Sequence, residues 1–206
     1  MDYEAGNLTS VARALNKLKL PNRITSDREE ILNADRIIFP GVGAAGAAMA
    51  NLQKKGLDEV IKTAFSNEKP ILGICVGAQI ILDFSEENET ACLGLISGQV
   101  VGFPSGLADG NGSPLKIPHM GWNQVEWIRP HPIFQNIPER SEFYFVHSYY
   151  PVPGRSECVI GLTGYGIRFA SAIGHKNLVA VQFHPEKSGP VGLSILWNFS
   201  SWNGKA

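Results

Sequence analysis

Two short apolar runs, each followed by a turn and a helical segment, constrain the fold of this chain more than any other feature. Residues 36–39 and 70–74 have the length and composition of buried strands. Helical segments, identified by apolar residues three or four positions apart, are predicted over residues 8–20, 46–65 and 79–82. Strands that alternate with helices favour an α/β fold with a mostly parallel central sheet flanked by helices.

The second half of the chain has a different pattern, with short β-branched or aromatic runs separated by Gly, Pro and Ser. Strands are predicted at residues 100–101, 125–127, 143–146, 159–162 and 178–181, with a surface loop at 105–113 and a closing helix at 191–202. No repeat or linker-like segment divides the 206 residues. We therefore expect one domain, residues 1–206, in which a strand-rich second half is added to the α/β first half.

The beginning of the chain lacks the strand with which a doubly wound sheet usually opens. Only six residues precede Asn7, and residues 1–3 make at most a stub of a strand. The first strand is therefore predicted to be missing or abbreviated, which would expose its apolar neighbours. A short, weak strand is predicted at residues 22–25.

Composition excludes several classes of function. Eighteen basic and nineteen acidic side chains give a net charge of −1, which argues against nucleic acid as a partner. The chain contains neither a membrane-length apolar run nor a signal peptide, and its three cysteines form no metal or disulfide pattern. Phosphate-binding glycine motifs are absent too, so we expect no cofactor, no metal, no membrane contact and a cytoplasmic location.

The pentapeptide GICVG at residues 73–77 follows a predicted buried strand and precedes a predicted helix. It has the form G-x-C-x-G, the thiol counterpart of the nucleophile elbow G-x-S-x-G. Flanking glycines relieve clashes in such a turn, while the start of the helix favours a thiolate and leaves the Val76 N–H free to face an oxyanion. Cys75 is thus a candidate nucleophile; the alternative is a small buried apolar residue.

A cysteine nucleophile needs a base, and that base needs an orienting group. Among the five histidines, His131 and His175 are interpreted as solvated loop residues, and His119 and His147 as possible structural residues. His184 ends an apolar strand, and Glu186 lies two positions later, on the same side of an extended chain. Together with Cys75 they complete a candidate Cys–His–Glu triad.

The tetrapeptide PGVG at residues 40–43 directly follows the first buried strand. Glycines at the carboxyl end of a strand let the backbone approach a ligand and turn its N–H groups inward. The alternative is an ordinary strand-to-helix turn.

These motifs resemble those of the class I (triad) glutamine amidotransferases. The residues that carry the resemblance lie in order along nearly the whole chain: GNL at 6–8, PGVG at 40–43, GICVGAQ at 73–79, HMGWN at 119–123, YFVHSYY at 144–150 and QFHPEKSG at 182–189. Val76 and Ala78 depart from the more common Leu and Met of the elbow.

The resemblance implies a role for each matching residue. Cys75 would attack the carboxamide of glutamine, His184 would act as base and then acid, and Glu186 would orient the imidazolium. The remaining implied positions are an oxyanion hole from the amides of Val76, Val42 and Gly43, and substrate contacts from Gln79, Glu87, Ser148 and Tyr149. Without the resemblance, Gln79 is an ordinary helix residue and Glu87 a solvated charge.

The finer motifs are similar to those of family members that pass ammonia to a (β/α)8-barrel cyclase in histidine biosynthesis, as a heterodimer. Lys187, Trp122 and Tyr144 match positions at that interface, although Lys187 could be a plain surface residue and the two aromatic residues could be core. Three other functions remain open: an amidotransferase with another acceptor, such as a paralogue in surface-polysaccharide synthesis, a non-catalytic binding domain, or a cysteine protease.

Overall fold

A computed structural model of the protein describes residues 1–4 and 6–205. Its α-helices are α1 (Leu8–Lys17), α2 (Arg28–Asn33), α3 (Ala45–Lys55), α4 (Leu57–Ser66), α5 (Val76–Gln79) and α6 (Gly189–Ser201). Its strands are β1 (Ile37–Gly41), β2 (Ile71–Cys75), β3 (Phe84–Ser85), β4 (Thr90–Ala91), β5 (Gly98–Gly102), β6 (His119–Gln124), β7 (Glu126–Trp127), β8 (Glu142–His147), β9 (Tyr149–Pro153), β10 (Val159–Tyr165), β11 (Ile167–His175) and β12 (Leu178–Val181).

The central sheet has six strands in the order β1-β2-β12-β11-β10-β7. β1, β2 and β12 run parallel, with Gly41 opposite Cys75 and Ile74 opposite Val181. β11, β10 and β7 continue the sheet through antiparallel pairings. Every residue of β2 and β12 is buried, as expected for strands covered on both faces. The predicted α/β fold with a central sheet flanked by helices is confirmed. The prediction that this sheet is mostly parallel is wrong, because three of its five strand pairings are antiparallel and the parallel part is confined to β1, β2 and β12.

The strand-rich second half also forms smaller sheets. β4, β3, β5 and β9 make a four-stranded sheet, and β6 pairs antiparallel with β8. Strands β6, β9 and β11 have no counterpart in the sequence prediction. Their sequences, HMGWNQ, YYPVP and IRFASAIGH, mix apolar residues with Gly, Pro, Ala or polar residues, so they lack the compact β-branched runs that mark a buried strand.

The helical segment over residues 46–65, which the sequence predicts in two pieces interrupted by Gly56, is confirmed as α3 and α4. Gly56 separates them in a left-handed conformation, with φ of 61°. Glycine reaches that conformation without a steric penalty, and the next helix can therefore start at once in a new direction. In the described part of the chain, no helix is long and apolar enough to cross a membrane.

The strand predicted at residues 22–25 is wrong. This segment is irregular, and the carbonyl of Thr25 accepts a hydrogen bond from the backbone of Asp2 at 2.7 Å. Its pairing with the start of the chain takes the place of a sheet ladder.

The helix predicted over residues 79–82 is also wrong, since α5 is a single turn that ends at Gln79. The carbonyls of Ile80 and Ile81 accept hydrogen bonds from Leu93 and Leu95, at 2.9 and 2.8 Å. A distant segment therefore uses the acceptors that a longer helix would have needed.

The start of the chain matches the expectation of a missing first strand: among residues 1–4 and 6–205, no strand precedes α1. The amino group of Met1 instead donates to the carbonyl of Ile38 at 2.9 Å. An apolar groove of about 680 Å³ runs along β1, and its walls include Val11, Ile31 and Phe199. The expected exposure of apolar neighbours is not found at these three residues, which are buried, whereas Ile24 in the same groove is 45% exposed.

Candidate active site

Cys75 lies at the turn between β2 and α5, as the elbow motif predicts. Its backbone has φ 56° and ψ −112°, a conformation that non-glycine residues rarely adopt. The side chain is 4% exposed. A strained, buried cysteine at the carboxyl ends of the parallel strands β1, β2 and β12 is better explained as a positioned nucleophile than as a small apolar core residue.

Two glycines allow the backbone to pack closely around this turn. A Cβ atom at Gly77 would lie 2.0 Å from the carbonyl oxygen of Phe39, and one at Gly73 would lie 2.9 Å from the Cβ of Ala180. Both glycines are therefore required for the elbow to fit between β1 and β12.

His184 and Glu186 lie beyond the end of β12, and their side chains are in direct contact. Nδ1 of His184 is 2.8 Å from Oε1 of Glu186, and the side chains are 1% and 0% exposed. The backbone N–H of His184 donates to the carbonyl of Tyr144 at 2.9 Å, which ties this segment to β8. The predicted His–Glu pair therefore exists as a buried, oriented unit.

The imidazole of His184 has a shifted pKa. Burial is the largest influence and lowers the pKa, but Cys75 and Glu186 together outweigh it and raise the value to about 9. Nε2 of His184 has no hydrogen-bond partner within the described residues. The ring is thus anchored through Nδ1 and keeps Nε2 available for proton transfer.

Gln182 is a member of this site that the sequence interpretation missed. It is fully buried in the segment that leads to His184, and its Nε2 lies 3.8 Å from Sγ of Cys75. Its Oε1 accepts a hydrogen bond from Nε2 of Gln79 at 3.0 Å. The available signal was an amide in a continuous apolar run, since a buried polar side chain needs a partner.

The structure brings Gln79 and Tyr149 together. Nε2 of Gln79 donates to the carbonyl of Tyr149 at 2.9 Å, and the preceding carbonyl, of Ser148, accepts from the backbone of Phe103 at 3.0 Å. The backbone at residues 148–149 is therefore fixed from two sides beside the elbow helix.

Glu87 lies in the 3-10 helix Glu87–Glu89, and its Oε2 accepts a hydrogen bond at 2.7 Å from the N–H of Ala45, the first residue of α3. The two residues Val42 and Gly43 lie between the end of β1 and this helix. Because Gly41 pairs with Cys75, the loop that contains Val42 and Gly43 leaves the sheet directly beside the elbow.

The three residues predicted at a partner interface lie together on the surface. Nζ of Lys187 is 5.7 Å from the ring centre of Tyr144, and the rings of Trp122 and Tyr144 are 6.2 Å apart, edge to face. Trp122 is 55% exposed and the nearby Met120 on the same strand is 61% exposed. An exposed aromatic and apolar surface of this kind is typical of a protein-binding site.

Of the other histidines, His119 and His147 are buried and hydrogen-bonded to each other at 3.0 Å, as expected for structural residues. The solvated position predicted for His131 is wrong: it is buried, accepts a hydrogen bond from Ile133 and packs on Trp202. A tertiary contact with the end of the chain removes it from solvent. The solvated loop position predicted for His175 is wrong as well, because His175 is half-buried and is the last residue of β11, paired with Leu178 of β12.

Comparison with known proteins places the chain in a family. The sequence-family model of the class I glutamine amidotransferases matches residues 1–200 of this chain. The imidazole glycerol phosphate synthase subunit HisH of Maridesulfovibrio salexigens is 54% identical over 199 residues, which is 97% of this chain and 93% of that protein. The protein of the same description from Methylococcus capsulatus is 49% identical over 206 residues, covering 98% of this chain and 94% of its own length.

Solved structures share the fold at lower identity. A putative GMP synthase protein from Thermoplasma acidophilum has a TM-score of 0.71 and 22% identity, covering 95% of this chain and 88% of its own. The glutaminase domain of Trypanosoma brucei CTPS, solved with bound acivicin, has a TM-score of 0.64 and 18% identity, covering 95% and 89%. The chain belongs to the class I glutamine amidotransferases. Within them, it belongs with the imidazole glycerol phosphate synthase subunits HisH.

Proposed function

We propose that this chain hydrolyses glutamine to glutamate and ammonia through Cys75, His184 and Glu186, and delivers the ammonia to a cyclase partner. The observation that carries the proposal is the strained cysteine at the elbow next to a buried His–Glu pair whose Nε2 is unengaged among the described residues. An ordinary core cysteine would need neither the strain nor a neighbouring imidazole.

In the first half of the reaction, the thiolate of Cys75 attacks the carboxamide carbon of glutamine. The pair of electrons returns from the oxyanion as the C–N bond breaks, and His184 gives its Nε2 proton to the leaving nitrogen, so that ammonia departs. A γ-glutamyl thioester on Cys75 remains. Glu186 holds the imidazolium through Nδ1 and keeps Nε2 directed at the reacting atoms.

In the second half, the neutral imidazole of His184 takes a proton from water. The resulting hydroxide attacks the thioester carbon, and the C–S bond breaks to release glutamate and the Cys75 thiolate. One histidine therefore serves both as acid and as base, which requires a stable orientation throughout the cycle.

The negative oxygen that forms in both steps needs hydrogen-bond donors. The N–H of Val76 at the start of α5 is one candidate, and an amide of Val42 or Gly43 is the other, because their loop leaves the sheet beside Cys75. Gly43 has φ of 91°, which glycine adopts without strain. This loop can therefore change its backbone orientation more readily than a regular strand can.

Gln79, Glu87, Ser148 and Tyr149 are proposed to hold the amino-acid end of glutamine. In support, Gln79 is hydrogen-bonded to the backbone of Tyr149, and Glu87 is anchored at the start of α3. A carboxylate in Glu87 suits the substrate's ammonium group, and backbone groups at 148–149 suit its carboxylate.

We propose that the partner is a (β/α)8-barrel cyclase, that the two chains form a heterodimer in the cytoplasm, and that Lys187, Trp122 and Tyr144 contact the barrel. The relatives at about half identity are named as subunits of imidazole glycerol phosphate synthase. In that reaction the cyclase would use the ammonia to form imidazole glycerol phosphate and aminoimidazole carboxamide ribotide, in histidine biosynthesis. Residues 1–206 would act as one domain without a cofactor.

The proposal is tested by glutamate release from glutamine, measured with the cyclase and its ligand present. Cys75→Ala should abolish activity above background while the circular dichroism spectrum is kept. Cys92→Ala, which alters a half-buried cysteine beyond β4, is the matched control and should keep full activity. Glutamate release by the Cys75→Ala complex at the unchanged rate would overturn the proposal.

A further inference from the structure

Asn7 makes a contact that neither the elbow nor the His–Glu pair explains. Its Nδ2 lies 2.5 Å from Oε1 of Glu186 and 3.5 Å from Nδ1 of His184. Oε1 is the same carboxylate oxygen that faces the imidazole, so two N–H donors converge on it. The other carboxylate oxygen, Oε2, has no partner among the described residues. The orientation of the Glu186 carboxylate therefore depends on Asn7 as well as on His184.

The backbone around Asn7 directs its side chain toward the triad. Asn7 is the residue before α1 and has a left-handed conformation, with φ 61° and ψ 4°. Its side chain makes no capping hydrogen bond to the helix, although asparagine in this position commonly does. The amide is thus withheld from its usual local partner and donates instead to a carboxylate 179 residues away.

The same turn contacts the loop that follows β1. Gly6 also has a positive φ, of 69°, and a Cβ atom there would lie 2.9 Å from Cγ2 of Val42. Consequently, residues 6–7 lie between the proposed oxyanion loop and the carboxylate of the triad. Asparagine and glycine are the residues that tolerate two successive left-handed conformations best.

We propose that Asn7 is a positioning residue for the glutaminase reaction, which holds the Glu186 carboxylate in line with the imidazole of His184. Asn7 acts through the His–Glu pair, because its side-chain amide contacts the Glu186 carboxylate and lies beside Nδ1 of His184. The inference rests on the proposed function, because it concerns the same triad.

The test uses two substitutions that respect the left-handed backbone. Asn7→Gly removes the donor, and Asn7→Asp replaces the donor by a carboxyl of the same shape. With the cyclase and its ligand present, Asn7→Gly should lower kcat about tenfold at every pH, the scale of one hydrogen bond to a charged group, and leave KM within about twofold.

Asn7→Asp should behave differently as pH changes. A proton held between the two neighbouring carboxyls lets the side chain at position 7 still donate, and rising pH removes it, so kcat of Asn7→Asp should fall with rising pH more than kcat of the wild type does. Asn16→Asp, the same change at an exposed position of α1, is the control and should follow the wild-type profile. A purely structural role would not give this difference in pH dependence.

A second readout separates this inference from the proposed function. Alkylation of Cys75 by iodoacetamide, followed by peptide mapping, needs neither glutamine nor a partner. Because Asn7 contacts the His–Glu pair, Asn7→Gly and Asn7→Asp should change the rate of Cys75 alkylation at a fixed pH, and Asn16→Asp should leave it unchanged. The inference is overturned if Asn7→Gly and Asn7→Asp keep kcat within about twofold of wild type and alkylate as wild type does. A wild-type complex that releases no glutamate would instead contradict the proposed function.

Discussion

Nδ1 of His184 lies 2.8 Å from Oε1 of Glu186, and both side chains are removed from solvent. The strand β12 brings the chain to this point, and the short 3-10 helix Pro185–Lys187 turns Glu186 back toward the ring. A carboxylate held this closely can fix which imidazole nitrogen carries a proton and can stabilise the charged ring.

Glu186→Gln should lower kcat for glutaminase about a hundredfold or more, because an amide cannot stabilise the imidazolium to the same extent. The pKa of His184, about 9, should fall when Glu186 is neutral, and the alkaline limb of the pH–rate profile should move to lower pH with it. A rate profile from about pH 6 to about pH 10 checks both points. Glu157→Gln, at an exposed position, is the control, and an unchanged alkaline limb in Glu186→Gln would contradict this role.

Gly77→Ala should destabilise the protein by about 2 kcal/mol or more, because the new Cβ would lie 2.0 Å from the carbonyl of Phe39, which the strand β1 fixes. Urea unfolding of the two proteins gives the difference in the free energy of unfolding. Gly164→Ala is the matched control, because a Cβ atom at this position would have no atom of a non-neighbouring described residue within 4 Å. Equal stability of both variants would show that the elbow can relax.

The elbow and the His–Glu pair could be located from the sequence because their spacing is local. A glycine on each side of Cys75 and a two-residue step from His184 to Glu186 determine much of the geometry within a few residues. The contacts of Asn7 and Gln182 could not be located in this way, since their partners lie 179 and 107 residues away.

The errors in the predicted fold have the same physical origin. Residues 22–25 and 79–82 have local patterns that fit a strand and a helix, but backbone groups from distant segments take their hydrogen bonds. His131 has the local sequence of a turn, and its burial depends on Trp202 at the other end of the chain. Strand β11 is not predicted because four small residues, Ala170, Ser171, Ala172 and Gly174, interrupt its apolar pattern.

Trp122→Ala should weaken binding of the cyclase by about 2 kcal/mol, which is typical of an aromatic residue at the centre of an interface. Trp197 on α6 offers a close control, because its exposed fraction is 54% against 55% for Trp122. Isothermal titration with the cyclase compares Trp122→Ala and Trp197→Ala. If both variants bind as the wild type does, the surface formed by Trp122, Tyr144 and Lys187 is not the interface.

Acid should destabilise the protein through its buried histidines. Burial lowers the pKa of His131 from 6.5 to about 4, so the unfolded chain binds a proton in this range that the folded protein does not. Stability is therefore lost as pH falls from about 6.5 toward 4, at up to about 1.4 kcal/mol per pH unit for one such group. His119 and His147 contribute in the same direction.

His131→Asn keeps a hydrogen-bond acceptor and removes this proton uptake, so the fall in stability between about pH 6.5 and 4.5 should be smaller than in the wild type. Urea unfolding at several pH values measures the slope. His175→Asn, at a half-buried position, should change the slope less. A slope in His131→Asn equal to that of the wild type would mean that His131 takes up its proton in the folded protein.

The most direct test of the central claim is the site at which an electrophilic glutamine analogue reacts. The complex with cyclase and its ligand is treated with the analogue, and the modified cysteine is located by peptide mass mapping while glutaminase activity is followed. The account predicts that Cys75 alone is modified, in step with the loss of activity, and that glutamine protects it. Inactivation with Cys75 unmodified, or with the label on Cys92 or Cys158, would contradict it.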